Sequence, residues 1–353
     1  MRIDAPIEVL SDLGLGMLLF LAGLEMDVDR LRGPLGRLAA SAFGGSVILG
    51  VGCAYALAAV GLATGPLFLA IVLVSTSAGL LLPVLKDAGE QDTRFGQLVI
   101  TAGALAEVAP VMLLSLLFSA TSTTSAGRLT SLAIFLALLV VVGLALGRVR
   151  RLAALEQLLD RLEDRSAQLR VRATLTVALG FGVLANHFEF ASILGAFAAG
   201  LLVRMIDLTG HAPHPQFQRK LEGIGFGFLI PIFFIATGVQ FDLKALVGNA
   251  TAIAEVPLFL AALLLVRGLP ALLYARFVGR RRAGVAGLMQ ATTLTFVIVA
   301  TQIGLASGQI TSTTSASLLT AGLVSAALIP AAALKLLVPE QPPAEPTPVQ
   351  QPA

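Results

Sequence analysis

Apolar runs of about twenty residues recur along the whole chain, and they restrict its fold more than any other feature. A helix needs roughly 20 apolar residues to cross a bilayer, and a backbone surrounded by lipid must satisfy its own hydrogen bonds. Charged residues make up 13% of the chain, against about 25% in soluble proteins. The runs are therefore too dense for a soluble core, and the sequence predicts an all-α integral membrane protein.

Eleven of these runs qualify as transmembrane helices. They lie approximately at 9–26, 38–61, 66–85, 95–119, 129–147, 173–187, 190–206, 224–240, 250–277, 283–305 and 312–334.

The basic residues support this division, because they alternate between the two faces of the membrane. When every second connection is assigned to one side, 20 of the 24 Lys and Arg residues fall on that side, 3 fall on the other, and Arg267 lies within a span. The positive-inside rule makes the rich side cytoplasmic. This predicts a multi-pass protein of a bacterial inner membrane, with the N-terminus outside and the C-terminus in the cytoplasm. The basic residues then face lipid headgroups, and no nucleic-acid partner is expected.

The chain divides into a transmembrane domain, residues 1–340, and a Pro-rich tail, residues 337–353, whose composition predicts disorder. Within the domain, a first repeat at about 9–147 precedes a second part at about 173–336. Between them, residues 149–172 carry leucines at helical spacing opposite charged residues, which predicts an amphipathic cytoplasmic helix. This linker helix lies along the membrane surface or is solvated on all sides.

An internal repeat relates two distant stretches of the chain. LLFLAGLEMDVDRLRG at 18–33 aligns with FFIATGVQFDLKALVG at 233–248, and the polar clusters two spans later fall at nearly the same offset. The charge alternation gives the two units opposite orientations, and inverted repeats are frequent in secondary transporters. The alternative is a chance similarity between two apolar stretches.

Glu107 lies at the middle of the apolar stretch 98–118. Intramembrane acids usually face a cavity or a partner and mark an ion or proton path. Burial disfavours the charged form of a carboxyl group, which would let Glu107 bind a proton or a monovalent cation in turn. The alternative is a permanently protonated side chain that bonds two helices together.

Arg267 is the second charge at mid-membrane, some ten residues from either end of its span. Because arginine does not lose its proton in proteins, it is predicted to offset a buried carboxylate or helix C-termini rather than to carry protons. The alternative is a side chain that reaches the membrane surface.

Two spans are interrupted by hydroxyl residues. One contains Ser75, Thr76 and Ser77, and the other contains Thr292 and Thr293. Clusters of Gly, Pro and hydroxyl residues at mid-membrane predict broken helices whose backbone groups line a cavity. In the alternative, the hydroxyls bond to carbonyls of an intact helix.

Other chemistry has little support in the sequence. The phosphate-loop pattern GxxxxGK[ST] does not occur, so ATP-driven pumping is not predicted. The three histidines lie in connections, and His211 and His214 are too few for a metal site without further ligands. We predict neither an enzyme nor a cofactor.

Several stretches together resemble the monovalent cation:proton antiporter family, in the branch that includes Kef-type proteins. They are LLFLAGLEMD, LPVLKDAGEQDTRFGQLVITAGALAEVAPVMLLSLLFS, LGAFAAGLLV, FLIPIFFIATGVQFDL and QATTLTFVIVATQIG, spread over nearly the whole chain. The resemblance implies an inverted-repeat fold with a core bundle, a dimerisation bundle and two crossed broken helices at 66–85 and 283–305. It also implies a homodimer.

The resemblance also assigns roles to residues. The family's ion-binding carboxylate, normally Asp, falls on Glu107, its embedded basic residue falls on Arg267, and its broken-helix hydroxyls fall on Ser75, Thr76 and Thr292. Thr293 completes the predicted ion and proton site. The family usually has 13 spans, and the first two are not found in this sequence.

The function expected from this resemblance is exchange of Na⁺ or K⁺ for H⁺ across the bilayer. One carboxylate per site predicts electroneutral exchange, with Glu107 shared between cation and proton. The alternative is a transport-inactive relative that acts as a membrane sensor or scaffold, which the change from Asp to Glu would favour. A channel is a third hypothesis.

Overall fold

The computed structural model describes residues 4–25, 33–62, 64–117, 169–187, 192–208, 215–241, 246–248 and 250–337. Every regular element in these ranges is helical, which confirms the predicted all-α class. The predicted span at 129–147, most of the linker helix 149–172 and the tail beyond 337 lie outside the described residues. Leu169 to Arg172, assigned to the linker from sequence, belong to a longer helix.

The first group of helices leads up to and through the first break. It comprises α1 (Ala5–Glu25), α2 (Pro34–Ala59), α3 (Pro66–Leu73), α4 (Ala78–Asp87) and α5 (Arg94–Leu117).

The second group begins after the central part of the chain. It comprises α6 (Leu169–His187), α7 (Ser192–Leu208), α8 (Pro215–Ile224), a π-helical turn (Gly225–Leu229), α9 (Ile230–Gln240), α10 (Ala250–Leu263), a second π-helical turn (Leu264–Gly268), a 3₁₀ turn (Pro270–Tyr274), α11 (Ala275–Val278), α12 (Arg280–Gln290), α13 (Thr295–Ala306) and α14 (Ser312–Leu336).

Seven helices in the described part of the chain are long and apolar enough to cross a membrane, and one bent pair makes an eighth. The bent pair is α12 and α13, whose axes bend by 41° at the break between them. A broken span was predicted at this place, 283–305. The two predicted spans at 173–187 and 190–206 appear as shorter apolar helices. Ten of the eleven predicted spans thus coincide with apolar helices, and the full count stays a prediction.

The predicted repeat reappears in the helix boundaries. The starts of α2 and α10 are 216 residues apart, those of α3 and α12 are 214 apart, and those of α5 and α14 are 218 apart. The breaks agree more closely, because both their first and their last flanking residues are separated by 217 positions. Two units whose helix starts and breaks recur at nearly the same offset are a stronger indication of a repeat than the matched residues alone.

The helices pack in two groups. In one, α1 contacts α7 and α9, and α7 contacts α6. In the other, α2 to α5 pack with α10 to α14. The first group is unusually close, since a Cβ added at Gly23 would lie 2.1 Å from the Phe197 carbonyl oxygen and one at Gly200 would lie 1.9 Å from that of Phe20. Only glycine permits this backbone contact between α1 and α7.

Candidate functional site

The two helix breaks meet each other in the interior of the protein. The backbone amide of Ser77 donates to the carbonyl of Thr292 at 3.0 Å, and the hydroxyls of Ser75 and Thr293 pair at 2.9 Å. All four residues are at most 1% exposed. The sequence-predicted clusters are therefore brought together across 215 to 218 residues of chain.

The free backbone groups at these breaks are bonded by side chains of other segments. The Ser77 hydroxyl accepts from the amides of Leu294 and Thr295 at 3.0 and 3.2 Å, at the start of α13. The Ser325 hydroxyl, on α14, accepts from the Thr293 amide at 3.1 Å and donates to its carbonyl at 2.8 Å. Since each unsatisfied backbone group in a dry interior would cost free energy, these two serines stabilise the interruption of the helix.

Arg267 is 1% exposed, and its guanidinium lies at the centre of a neutral hydrogen-bond network. Nε donates to the Thr76 hydroxyl at 3.0 Å, Nη1 to the Ser46 hydroxyl at 3.1 Å, and Nη2 to the Gln290 side-chain oxygen at 3.0 Å. The guanidinium carbon also lies 5.7 Å from the centre of the Phe43 ring. The predicted surface-reaching alternative is therefore wrong, because the charge stays inside the bundle.

The backbone around Arg267 departs from the α-helix. Arg267 lies in the π-helical turn Leu264–Gly268, which the 3₁₀ turn Pro270–Tyr274 follows directly. A π-turn widens a helix locally and is frequent at functional sites. Here it occurs at the level where α12 approaches closely, since a Cβ added at Gly287 would lie 2.8 Å from the Gly268 carbonyl oxygen.

Thr76 connects Arg267 to the helix that carries Glu107. Its hydroxyl accepts from Arg267 and donates to the Gln290 carbonyl, and its amide donates to the Ala106 carbonyl at 3.1 Å. Ala106 directly precedes Glu107 in α5. One threonine therefore joins the embedded arginine, the second broken helix and the backbone beside the embedded acid.

Glu107 is half-buried and lines a small cavity of about 50 Å³. The other walls come from α5 itself, from Ala78 and Leu82 of α4, and from Ala22 of α1. The cavity therefore lies where the two groups of helices face each other. A carboxyl group in this position is next to the first break and next to the surface where the two groups of helices meet.

Thr292, the last predicted site residue, is fully buried, and its hydroxyl has no hydrogen-bond partner among the described residues. Its backbone is bonded, since its amide donates to the Met289 carbonyl at 3.0 Å. Of the predicted hydroxyls, those of Ser75, Thr76 and Thr293 are thus engaged with protein atoms, and that of Thr292 is left with its bonding capacity unused.

Ser46, Ser325 and Gln290 belong to this network and were not among the predicted site residues. Ser46 and Ser325 are single hydroxyls within apolar helices, which is a weak signal in the sequence. At the offset of 218 that relates the starts of α5 and α14 in the structure, Ser325 corresponds to Glu107. Gln290 lies beside the predicted pair Thr292 and Thr293 and is the third polar residue of that break.

The described residues contain no group of three or more His, Cys, Asp or Glu that could hold a metal ion. The predicted monovalent cation site thus has one carboxylate, and the described lining of its cavity includes none of the predicted hydroxyl residues.

A family comparison decides the class of protein. The model of the family described as "Sodium/hydrogen exchanger, transmembrane" matches residues 4–337. The chain belongs to this family. Its members are transporters. The two broken helices, with the embedded Glu107 and Arg267, are therefore the candidate transport site of this chain.

Curated relatives carry names of the same kind. The chain is 28% identical over 356 aligned positions to "Putative Na(+)/H(+) antiporter YjbQ" of Bacillus subtilis, which covers 97% of this chain and 56% of that protein. It is 26% identical over 244 positions to "Na(+)/H(+)-K(+) antiporter GerN" of Bacillus cereus, covering 68% of this chain and 60% of that protein. The chain spans less than two thirds of the length of either relative.

A solved structure supports the fold. The sodium proton antiporter MjNhaP1 of Methanocaldococcus jannaschii superimposes with a TM-score of 0.65, covering 93% of this chain and 84% of that one, at 15% sequence identity. The likeness extends over nearly all of the chain, which confirms the predicted antiporter fold.

Proposed function

We propose that this chain exchanges a monovalent cation, Na⁺ or K⁺, for protons across the membrane, and that Glu107 binds the two in turn. The observation that carries the proposal is the position of this carboxyl group, in a small cavity beside the first break and between the two helix groups. The names of the relatives favour the same two cations.

The chemistry follows from one carboxyl group with two states. A protonated Glu107 is neutral, and a Glu107 bound to Na⁺ or K⁺ is neutral as a pair, so both forms tolerate a water-poor surrounding. The free carboxylate is the costly form, which ties release of one ion to binding of the other. One carboxylate per site gives one cation for one proton, and the exchange is then electroneutral.

Neutral oxygens at the breaks complete the proposed cation site. Carbonyls and hydroxyls at broken helices coordinate cations in transporters of this architecture. Ser75, Thr76 and Thr293 bond to protein atoms, but a hydroxyl that donates once retains a lone pair for a cation. The Thr292 hydroxyl has no hydrogen-bond partner among the described residues. Their role as ligands stays a prediction.

Arg267 has a different task in this proposal. It remains charged throughout, and it holds Thr76 and Gln290, and with them both breaks, in a fixed relation. Its positive charge also attracts the negative carboxylate of Glu107 over a longer distance, and this attraction is strong in a low dielectric. Arg267 therefore acts on the ion site through position and field and does not carry protons.

Alternating access would come from movement of α2 to α5 and α10 to α14 against the group formed by α1, α6, α7 and α9. The Glu107 cavity lies between the two groups, so such a movement would expose it to one side of the membrane at a time. We expect the group formed by α1, α6, α7 and α9 to make the homodimer contact. We also expect the N-terminus to lie outside and the C-terminus to lie in the cytoplasm of a bacterial cell.

The test is transport by the purified chain in proteoliposomes that contain a pH-sensitive dye. Addition of Na⁺ or K⁺ should move protons in the wild type, not in Glu107→Gln, and again in Glu107→Asp, which keeps the carboxylate. The Glu107→Gln variant is nearly isosteric, so loss of folding does not account for its loss of flux. Equal flux in wild type and Glu107→Gln would sink the proposal, and no flux in any variant would favour a sensor or scaffold instead.

A further inference from the structure

A groove with a cavity volume of about 740 Å³ lies at one end of the transmembrane helices and shares no lining residue with the Glu107 cavity. One wall is Leu38, in the first turns of α2, and the opposite wall runs along the 3₁₀ turn and α11 to the start of α12. Ligand sites in proteins are typically of about 300–1,000 Å³, so the groove is large enough for a small amphipathic molecule.

Two arginines without partners line this groove. Arg276 and Arg280 are both exposed, and neither makes an ion pair or a side-chain hydrogen bond with a residue that the structure describes. Arg282, two residues further on, differs, because it bonds the buried carboxylate of Glu90 at 3.1 Å. No acidic residue is part of the lining. The groove thus presents two guanidinium groups that no acidic residue in the described part of the chain neutralises.

The rest of the lining is apolar except for Ser41. Leu272, Leu273 and Phe277 have exposed fractions of 50%, 52% and 45%, at the end of the apolar stretch Thr251–Val278. In a bilayer, exposed apolar side chains at the end of a span would contact acyl chains, and arginines at the same end would lie near the lipid headgroups.

We propose that the groove between α2 and the segment from Leu272 to Arg280 binds an anionic phospholipid. The headgroup phosphate is held by Arg276 and Arg280, since guanidinium groups match phosphate oxygens with paired hydrogen bonds. An acyl chain runs along Leu272, Leu273 and Phe277. Basic pockets between transmembrane helices are known to take such headgroups.

The site would hold one end of a broken helix against the bilayer. Arg280 is the first residue of α12, which ends at Gln290 beside Arg267. A bound lipid would fix the outer end of α12 while its inner end forms the break. The predicted topology puts this lipid in the cytoplasmic leaflet, but binding itself depends on neither the topology nor cation exchange.

Native mass spectrometry of the purified chain in detergent tests the proposal, with phosphatidylglycerol, phosphatidylcholine and inorganic phosphate as separate probes. Wild type should retain phosphatidylglycerol more tightly than phosphatidylcholine. A basic residue near an anionic surface contributes about 1 kcal/mol, or roughly fivefold in affinity. Arg276→Gln and Arg280→Gln should each lose about fivefold and the double variant about 25-fold, while inorganic phosphate should not be retained.

The matched control is Lys86→Gln/Arg94→Gln. Both residues are exposed, neither lines the groove, and the predicted topology puts both on the same face. This variant removes the same two charges and should bind phosphatidylglycerol as the wild type does. The proposal is wrong if the double variant of Arg276 and Arg280 binds like this control, if phosphatidylcholine binds equally well, or if inorganic phosphate alone is retained.

Discussion

The two repeat units place different residues at corresponding positions beside their breaks. In the second unit, Ser325 of α14 bonds both the amide and the carbonyl of Thr293. In the first unit, the corresponding position of α5 is Glu107, which lines a cavity, and the Thr76 amide goes instead to the Ala106 carbonyl. One fold thus occurs twice, with a neutral serine in one copy and an ionisable acid in the other.

The embedded acid and the embedded arginine belong to different repeat units. Arg267 belongs to the second unit, and at the offset of 216 that relates α2 to α10 its counterpart is Val51. Its side chain nevertheless reaches Thr76 of the first break and Ser46 of α2. Each unit therefore supplies one charge. A duplicated fold allows such division of tasks, because one copy can keep the structure while the other changes its chemistry.

Of the three replacements that test this comparison, that of Arg267 should cause the largest loss of stability. Arg267→Gln leaves the buried oxygens of Thr76, Ser46 and Gln290 without their donor, and each buried polar group left unsatisfied costs about 1–3 kcal/mol. We expect a large fall in the melting temperature of the purified protein and loss of exchange. Arg267→Lys is the matched control, since it keeps the charge but not the fork of donors, and it should lie between the two. A melting temperature equal to that of the wild type in Arg267→Gln would contradict the network.

Replacing Ser325 should give an intermediate effect. Ser325→Ala leaves the amide and carbonyl of Thr293 unsatisfied, which costs about 1–3 kcal/mol. The control is Ser307→Ala, because Ser307 is exposed and its hydroxyl only bonds carbonyls of its own helix. Thermal unfolding in detergent should separate the two variants. If both unfold at the same temperature, the second break does not depend on its serine.

Replacing Thr292 should give the smallest effect on stability and a visible one on transport. Thr292→Val removes a buried hydroxyl that has no partner among the described residues, so we expect the free energy of unfolding to stay the same or rise slightly. If this hydroxyl binds the cation, the cation concentration for half-maximal exchange should rise. Unchanged transport would remove Thr292 from the site and leave the rest of the proposal intact.

Much of this could be predicted from the sequence, because lipid imposes strong local patterns. Helix lengths, the two breaks and the repeat follow from apolar runs and hydroxyl clusters, and the breaks at 74–77 and 291–294 agree with the predicted polar interruptions. The contacts of individual residues could not be predicted from these patterns. Gly23 and Gly238 align in the repeat, yet Gly23 contacts the backbone of α7 and Gly238 has open space around it.

The hydrogen-bond partners of Arg267 were the part of the site that the sequence predicted least well. Its burial was expected, but Ser46, Thr76 and Gln290 come from three segments up to 221 residues away. Periodicity tells which face of a helix is apolar, and it does not tell which polar residue of another helix meets that face. The sequence alignment of the repeat has an offset of 215, which pairs Glu107 with Gly322. Ser325 and the difference between the two units follow only from the offset of 218 between the starts of α5 and α14.

The central claim is that a proton and a cation share Glu107, and proton release on cation binding tests it most directly. Na⁺ or K⁺ is added to the purified, detergent-solubilised protein in weak buffer, and a pH-sensitive dye reports the protons set free. The account predicts proton release that saturates with cation in the wild type and in Glu107→Asp, and none in Glu107→Gln. Release of equal size from Glu107→Gln would contradict it.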